Sequence, residues 1–537
     1  MASPPSSEEI SFRPLDRWGP WVLALAVLAV GFILWDGFPP GIWHDDGVYV
    51  MLGRALAQGE GLRYVGVVGE PLAPKFPPLY PLFLAGIWTL NPDFPDNTLL
   101  LGGANLVVLA LAAALFAGFA RKVLGLSARA ALAAAALAWL SPELWRVALV
   151  PLSEPLFLVT LILAFGVAAR LEERPGLSWT VLFLLVAGGA VYTRTLGVAL
   201  FLAGALALLL RRRPWLAAAT FLGGAGIILP WLLWSGRAAE TIPAPLRDIL
   251  GPYGSWWIRE VVRAPVAYGG YVVANAGQLA AEGLSLFLPG VTGPLLWLGL
   301  LLLPLLLLGF WEMARRTLVL PLGLGISLGV LLLWPFQATR LLVPFQPFLF
   351  LALLLGIRVV TKGSGGGGAG KRRLPRLAGR VVGAAWVVIF VVLAGYRLAT
   401  GWPGKAYHIR SEDLVQAVRA VNEKTPPDAV VGAPELWPGI HLFTGRTVVP
   451  SARFLPLAEE GGSWGTPRAQ YELWDATGVT HLLVELGGRV HGDALDRMEA
   501  ECGPGTVQVL NMVEGQFLVR LGWEEGCREE LLTGDEP

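Results

Sequence analysis

Asp45 and Asp46 are the residues of this sequence best suited to acid–base chemistry, because they are adjacent carboxylates in the segment 44–49, just after the first apolar run. Like charges this close raise the pKa of one carboxyl, which suits a general base or a metal site. A plainer alternative is that one aspartate begins a helix as its N-cap while the other stays in water. The sequence leaves both interpretations open.

A third carboxylate and three cations follow at later breaks between apolar runs: Lys75, Glu154, Arg194 and Arg340. Glu154 is equally compatible with a helix N-terminal carboxylate stabilised by the helix dipole. Each arginine is equally compatible with a side chain that snorkels to the membrane interface. As a set, however, cations suit a phosphate and a carboxylate suits a proton from an attacking hydroxyl. The inventory therefore favours transfer from a lipid-anchored phosphate.

The elements that position these residues are predicted to be membrane helices. Of the 537 residues, 55% are hydrophobic and 15% charged, whereas soluble domains average about 25% charged residues. The apolar runs predict about eleven spanning helices, near 18–36, 98–120, 129–143, 151–170, 177–193, 196–210, 215–235, 286–309, 318–336, 341–360 and 380–398. A net charge of +1 without a basic stripe argues against nucleic acid as a partner.

Lysine and arginine in the loops predict the orientation of these helices. With a cytoplasmic N-terminus, the strongly basic loops all fall inside; they are 121–129, 170–174, 211–213, 315–316 and 362–380. The last of them contains a glycine-rich stretch, 363–368, that predicts a flexible tether. Arg194 and Arg340 then lie on the outer face, against the inside bias, together with the carboxylates. We therefore predict an integral membrane protein with its chemically capable residues outside.

Two segments outside the spans have their own signals. The first outer loop contains short stretches near 52–57 and 79–90 that predict interfacial helices. The outer segment 235–285 holds aromatic residues, among them Tyr253, Trp256 and Trp257. These residues suit either an interfacial belt or a stacking surface for a sugar or polyprenyl chain.

The tail is predicted to be a separate extracytoplasmic α/β domain, 401–537, after a transmembrane domain, 1–400. Strand signals lie near 429–432, 481–485, 506–510 and 516–521, and helix signals near 413–422 and 493–501. Cys502 and Cys527, the only cysteines, lie in this tail. They form either a disulfide or two buried thiols.

The order of these motifs resembles the GT-C superfamily of membrane glycosyltransferases, especially the protein O-mannosyltransferase and lipid A aminoarabinose transferase relatives. No single motif is specific to this superfamily, but their order along the chain and their common predicted side of the membrane are. The resemblance covers about residues 18–360 and uses the acidic pair, Lys75-Phe76-Pro77-Pro78-Leu79-Tyr80, Ser153-Glu154-Pro155 and Arg340-Leu341-Leu342-Val343-Pro344-Phe345. The tail resembles the periplasmic α/β domains of bacterial and archaeal members.

The resemblance implies a role for each carboxylate. Asp45 takes the position of the catalytic base and Asp46 a supporting position, while Glu154 stands where relatives carry an acidic residue in a later outer loop. A divalent Mg or Mn ion near Asp45, Asp46 and Glu154 is compatible with these oxygen ligands, although some relatives function without a metal.

The resemblance also implies a donor and roles for the cations. The donor is a polyprenyl-phosphate-linked sugar, transferred in one inverting displacement to a hydroxyl of a lipid, glycan or protein. Lys75, Arg194 and Arg340 stabilise the departing lipid phosphate. The chain departs from the family pattern at Phe76, which interrupts the Lys-Pro-Pro-Leu element, and at Leu341, where an aromatic residue is common.

Two other classes of function compete with this hypothesis. A secondary transporter would place ionisable residues near the bilayer midplane, often in two repeated halves, and the spans here are almost without such charges. A membrane scaffold or receptor would bind through the outer α/β domain and would leave the acidic pair and the Lys75 element without a purpose.

Overall fold

The structure is a computed structural model that describes residues 13–334, 339–362, 373–451, 466–485, 489–513, 516–522 and 525–533. The predicted tether at 363–368 lies outside these residues. Up to residue 424 the described chain is mainly helical: α1 (Arg13–Leu34), α2 (Asp45–Ala57), α3 (Leu79–Trp88), α4 (Thr98–Lys122), α5 (Ala128–Trp139), α6 (Pro142–Arg146), α7 (Glu154–Glu173), α8 (Leu177–Thr193), α9 (Val198–Leu210), α10 (Pro214–Ala239), α11 (Arg247–Leu250), α12 (Tyr253–Arg263), α13 (Pro265–Phe287), α14 (Leu303–Arg316), α15 (Val319–Leu332), α16 (Thr339–Leu342), α17 (Gln346–Lys362), α18 (Arg373–Ala399) and α19 (Gly404–Lys424). Short 3-10 segments cover Thr195–Gly197, Ala244–Leu246, Gly293–Leu302 and Val343–Phe345.

Seven helical stretches of the described chain are long and apolar enough to cross a membrane: Arg17–Leu34, Thr98–Lys122, Glu154–Glu173, Pro214–Ala239, Gly293–Arg316, Arg340–Thr361 and Leu377–Lys424. Five further apolar helices have 10–17 residues. The bounds of α8 coincide with the predicted span 177–193. The total of about eleven spans stays a prediction, because the short helices are below the usual length of a bilayer crossing.

The helix α13 is the main difference from the predicted spans. It occupies part of the segment 235–285, which the sequence analysis predicted to be a loop. The helix was missed because Asn275, Gln278 and Glu282 interrupt the apolar character of this segment. Asn275 is buried and donates hydrogen bonds to the carbonyls of Leu331 and Trp334 at 3.1 and 2.8 Å. It thereby satisfies acceptors at the end of α15, which the helix itself leaves without partners.

The chain divides into two compact units, and the first comprises Met1–Asp36, Gly102–Pro230 and Tyr271–Gly404. Close helix packing and a buried carboxylate stabilise this unit. A Cβ atom at Gly356 would lie 1.8 Å from the carbonyl oxygen of Leu305, so only glycine lets α14 and α17 approach this closely. Glu172 accepts the backbone N–H groups of Leu318 and Val319, both at 3.0 Å. The carboxylate thus satisfies donors at the start of α15.

A buried amide on α4 fixes the turn that leads into α7. Asn105 is fully buried and donates to the carbonyls of Val150 and Leu152 at 2.8 and 3.1 Å. These carbonyls precede Glu154, the first residue of α7. The side chain of Asn105 therefore determines where α7 begins relative to α4.

The second unit comprises Gly37–Leu101, Trp231–Gly270 and Lys405–Pro537. Its five-stranded sheet has the order β2-β1-β3-β5-β4, with β1 parallel to β2 and β3, and β5 antiparallel to β3 and β4. After α19 the elements are β1 (Val430–Ala433), α20 (Trp437–Thr444), β2 (Thr447–Pro450), α21 (Pro467–Thr477), β3 (His481–Glu485), α22 (Arg489–Cys502), β4 (Val507–Val513), β5 (Gln516–Leu521) and α23 (Glu525–Thr533). The α/β character of the tail is confirmed, whereas β2 was not predicted.

Two features join separate parts of the second unit. The N–H of Val448 in β2 donates to the carbonyl of Gly66 at 2.8 Å, and the N–H of Val68 donates to the carbonyl of Val448 at 3.3 Å. Residues of the segment between α2 and α3 therefore extend the sheet beyond β2. Cys502 and Cys527 form a disulfide between α22 and α23, which decides between the two states that the sequence left open.

We predict that Asn105→Leu lowers the stability of the protein. The substitution leaves two buried carbonyls without their donor, a loss of about 1–2 kcal/mol. Thermal unfolding in detergent should show a lower midpoint for this variant. Val107→Leu is the matched control, because Val107 lies on the same helix and is exposed; equal midpoints for Asn105→Leu and the wild type would contradict this role.

Candidate active site

The two aspartates follow a tight turn centred on His44. His44 has φ 58° and ψ −71°, and the N–H of Asp45 donates to the carbonyl of Trp43 at 2.6 Å. These values describe a γ-turn of the rare positive-φ type, which is strained for a residue other than glycine. The helix α2 begins immediately afterwards, so Asp45 and Asp46 are its first two residues and neither is its N-cap.

Asp46 is a buried acceptor for the turn. Its side chain is fully buried, and its two carboxylate oxygens accept the N–H groups of Gly41 at 2.8 Å and Trp43 at 2.9 Å. Burial raises the pKa of the Asp46 carboxyl, and the N–H groups of Gly41, Trp43 and Gly47 oppose that rise. Asp46 therefore stabilises the backbone of the turn, and its supporting role in catalysis stays a prediction.

Asp45 has a different environment from its neighbour. Its side chain is 18% exposed, and one carboxylate oxygen lies 3.3 Å from Nδ1 of His44. The first turn of a helix favours a negative charge there. A partly exposed carboxylate beside an imidazole can accept a proton from a hydroxyl that approaches from outside.

The helix α2 also anchors the Lys75 element. Tyr49 is one helical turn after Asp45, and its ring contacts the rings of Phe76 and Tyr80 at centroid distances of 5.1 and 4.8 Å. Phe76, the departure from the family pattern, is buried. The residue that interrupts the motif therefore packs against the helix that carries Asp45.

Lys75 contacts α11 and the first residue of α12. Its Nζ donates to the carbonyl of Ile249 at 3.2 Å and lies 4.4 Å from the ring centroid of Tyr253. Burial lowers the pKa of Lys75 to about 8, and the charge of Asp45 opposes this shift. The ammonium is therefore close enough to Asp45 to interact with it, and its protonation is sensitive to its surroundings.

Tyr64 is a site residue that the sequence analysis missed. Its hydroxyl donates to the carbonyl of Leu250 at 3.4 Å. Burial raises the pKa of Tyr64 well above its usual value, and the charges of Tyr253, Asp45 and Tyr49 add to this effect. No local signal distinguishes a tyrosine in this loop, because the carbonyl that accepts its hydrogen bond lies 186 positions later in the sequence. The side chains of Trp256, Trp257 and Arg259 lie outside the described residues.

The first unit contains the other three predicted residues. Glu154 is 1% exposed, and its Oε1 forms ion pairs with Nη1 of Arg194 and Nε of Arg340, each at 2.8 Å. Arg194 also donates to the hydroxyl of Ser153 at 2.9 Å. Two guanidinium groups on one carboxylate carry a net positive charge, and such groups recognise phosphate well. The ion pairs also compensate the charge of a buried carboxylate, which would otherwise be costly.

The predicted residues thus form two groups, each within one unit. Asp45, Asp46 and Lys75 lie in the second unit, and Glu154, Arg194 and Arg340 lie in the first. Within the described part of the chain, no group of three or more His, Cys, Asp or Glu residues could hold a metal ion. The oxygens of Asp46 and Oε1 of Glu154 already have partners. The divalent ion near Asp45, Asp46 and Glu154 therefore stays a prediction.

Comparison with protein-family models gives no match, and comparison with curated protein sequences gives none either. Solved structures do match. The crystal structure of ArnT from Cupriavidus metallidurans bound to undecaprenyl phosphate has 14% sequence identity and a TM-score of 0.53, over 97% of this chain and 100% of that chain. The apo structure of the same protein has 16% identity and a TM-score of 0.53, over 93% and 97%.

At this level of identity the similarity establishes the fold. It extends over almost the whole length of both chains, which is consistent with the apolar helices and the sheet described above. The chain is an integral membrane protein. Its fold is GT-C-like and similar to that of ArnT, as the order of its sequence motifs predicted.

Proposed function

We propose that this protein is a membrane glycosyltransferase that moves a sugar from a polyprenyl-phosphate-linked donor to an acceptor hydroxyl. The observation that carries the proposal is the partly exposed carboxylate of Asp45 at the start of α2, within the electrostatic range of Lys75. The likeness to ArnT, whose crystal structure contains undecaprenyl phosphate, supports the choice of donor. The acceptor class is a lipid, glycan or protein, on the outer face of the membrane.

In the second unit, Asp45 is the proposed general base. It takes the proton of the acceptor hydroxyl while the hydroxyl oxygen attacks the anomeric carbon and the bond from that carbon to the phosphate oxygen breaks. A single displacement of this kind inverts the anomeric configuration. Asp46 keeps the backbone before Asp45 in place, and the ammonium of Lys75 is proposed to contact the phosphate.

In the first unit, Arg194 and Arg340 are proposed ligands of the lipid phosphate. Glu154 aligns both guanidinium groups through one oxygen, so neither has to be ordered when an anion binds. Arg340 is 30% exposed and Arg194 is 12% exposed. We therefore assign the main contact with phosphate to Arg340 and a supporting contact to Arg194.

The general test uses a product that does not depend on the acceptor. Purified protein in vesicles is mixed with a panel of polyprenyl-phosphate-linked sugars and membrane extract, and the released polyprenyl phosphate is measured. Release with one member of the panel, together with a labelled acceptor, supports transfer. Binding of undecaprenyl phosphate without release from any donor would instead favour a binding protein, and counterflow of a labelled solute would favour a transporter.

The first prediction concerns Asp45→Asn. An amide cannot take up the hydroxyl proton, so release of polyprenyl phosphate should fall by about 100-fold or more. Affinity for undecaprenyl phosphate should change little, because the base does not contact the phosphate in this scheme. Asp96→Asn, an exposed position of the same loop, is the control. Full release by Asp45→Asn would remove the proposed base.

The second prediction concerns Lys75 and pH. Phosphate binding favours the ammonium form; because the pKa of Lys75 is about 8, binding above pH 8 requires proton uptake. The Kd for undecaprenyl phosphate should therefore rise about tenfold between pH 7 and pH 9. In Lys75→Arg this rise should be absent, because guanidinium stays protonated. An identical rise in Lys75→Arg would assign the pH dependence to another group.

The third prediction concerns the arginine pair. Arg340→Gln should weaken binding of undecaprenyl phosphate by about tenfold or more, because one charge-assisted contact is lost. Arg194→Gln should also lower the unfolding temperature, since the less exposed guanidinium helps to neutralise buried Glu154. Arg212→Gln, in an exposed loop, is the control. Equal affinity of Arg340→Gln and wild type would leave the pair with a structural role alone.

A further inference from the structure

The turn before Asp45 depends on contacts that its own residues do not supply. The γ-turn at His44 has a positive φ, and a residue other than glycine adopts such a backbone only where its surroundings stabilise it, at a cost of about 1–3 kcal/mol. Asp46 supplies part of this support from within the segment. The remainder comes from residues about 370–400 positions later, in the same compact unit.

Arg410 of α19 makes two contacts with this turn and one with Glu435. Its Nη1 donates to the carbonyl of Ile42 at 3.2 Å, and its guanidinium lies 3.8 Å from the ring centroid of Trp43. The same Nη1 lies 3.2 Å from a carboxylate oxygen of Glu435, which orients the guanidinium. A planar guanidinium can stack on an aromatic ring and donate hydrogen bonds in its own plane at the same time.

The start of α20 contacts the same turn from another direction. The ring of Trp437 contacts the ring of His44 at a centroid distance of 5.4 Å. A Cβ atom at Gly41 would lie 2.5 Å from Cα of Gly439, so the two backbones meet with no side chain between them. This close approach restrains the turn from a second side, in addition to the contacts of Arg410.

We propose that Arg410 is a positioning residue for Asp45, acting through the strained γ-turn at His44. The inference rests on the proposed function, because it deepens the role of Asp45 as base. Arg410 itself touches the carbonyl of Ile42 and the ring of Trp43, and it takes no part in proton transfer. Loss of Arg410 lets the turn relax and moves the carboxylate of Asp45 away from its working position.

The test compares Arg410→Gln with the wild type in two measurements. Release of polyprenyl phosphate should fall about tenfold, while the Kd for undecaprenyl phosphate stays within about twofold, because a misplaced base impairs turnover and not donor binding. Amide hydrogen exchange in the peptide that covers 38–50 should become about tenfold faster. Arg419→Gln, an exposed arginine of the same helix, should change neither measurement.

A second comparison, in a protein that already carries His44→Gly, tests whether Arg410→Gln lowers release of polyprenyl phosphate through the turn. Glycine adopts a positive φ readily, so His44→Gly removes the strain that Arg410 helps to hold. In that background, adding Arg410→Gln should reduce release by less than about threefold. An equal loss in both backgrounds would overturn the proposal.

The two measurements also separate this inference from the proposed function. Unchanged hydrogen exchange in Arg410→Gln would overturn the positioning role, whatever the activity. Faster exchange in a protein that releases no polyprenyl phosphate from any donor would leave the turn dependent on Arg410 but would refute the proposed transfer, and with it the assignment of Asp45 as the base being positioned.

Discussion

A carboxylate that leaves water must gain donors in exchange, and three acidic residues of this chain satisfy that constraint in different ways. Asp46 accepts backbone N–H groups of the turn that precedes it. Glu172 accepts the N–H groups at the start of α15. Glu154 is held by two guanidinium groups. In each case the cost of burying the charge fixes the local backbone or side chains, so the acidic residues determine the positions of their neighbours.

This constraint separates the two adjacent aspartates. Asp46 is withdrawn from solvent and has backbone donors on both oxygens, whereas Asp45 remains partly exposed beside His44. A fully buried carboxylate whose two oxygens accept backbone N–H groups is out of reach of a hydroxyl that approaches from solvent. The pair therefore divides into one residue that can support the backbone and one that can react, although their side chains are chemically identical.

The sequence predicted features that depend on local composition. Apolar runs predicted most of the long helices, the bounds of α8, and the position of Glu154 at a helix start. The sequence analysis did not predict α13, in which polar residues interrupt the apolar ones. It also did not predict β2, which has only four residues. The motif order predicted the fold because chain order survives when individual residues diverge. The contacts of Tyr64 with Leu250 and of Arg410 with Ile42 join residues far apart in sequence, and no local pattern encodes them.

Because these contacts join residues far apart in sequence, the site forms only after the later residues have folded. The turn at His44 lies near the beginning of the chain, whereas Arg410, Trp437 and Gly439 follow all the predicted spans. A strained backbone persists only when its stabilising partners are in place, because its strain is offset by those contacts. The geometry around Asp45 is therefore completed only when residues 405–445 have folded against residues 37–47. The tail belongs to the same compact unit as Asp45, the proposed base. Its first helix, α19, contacts the turn that precedes Asp45.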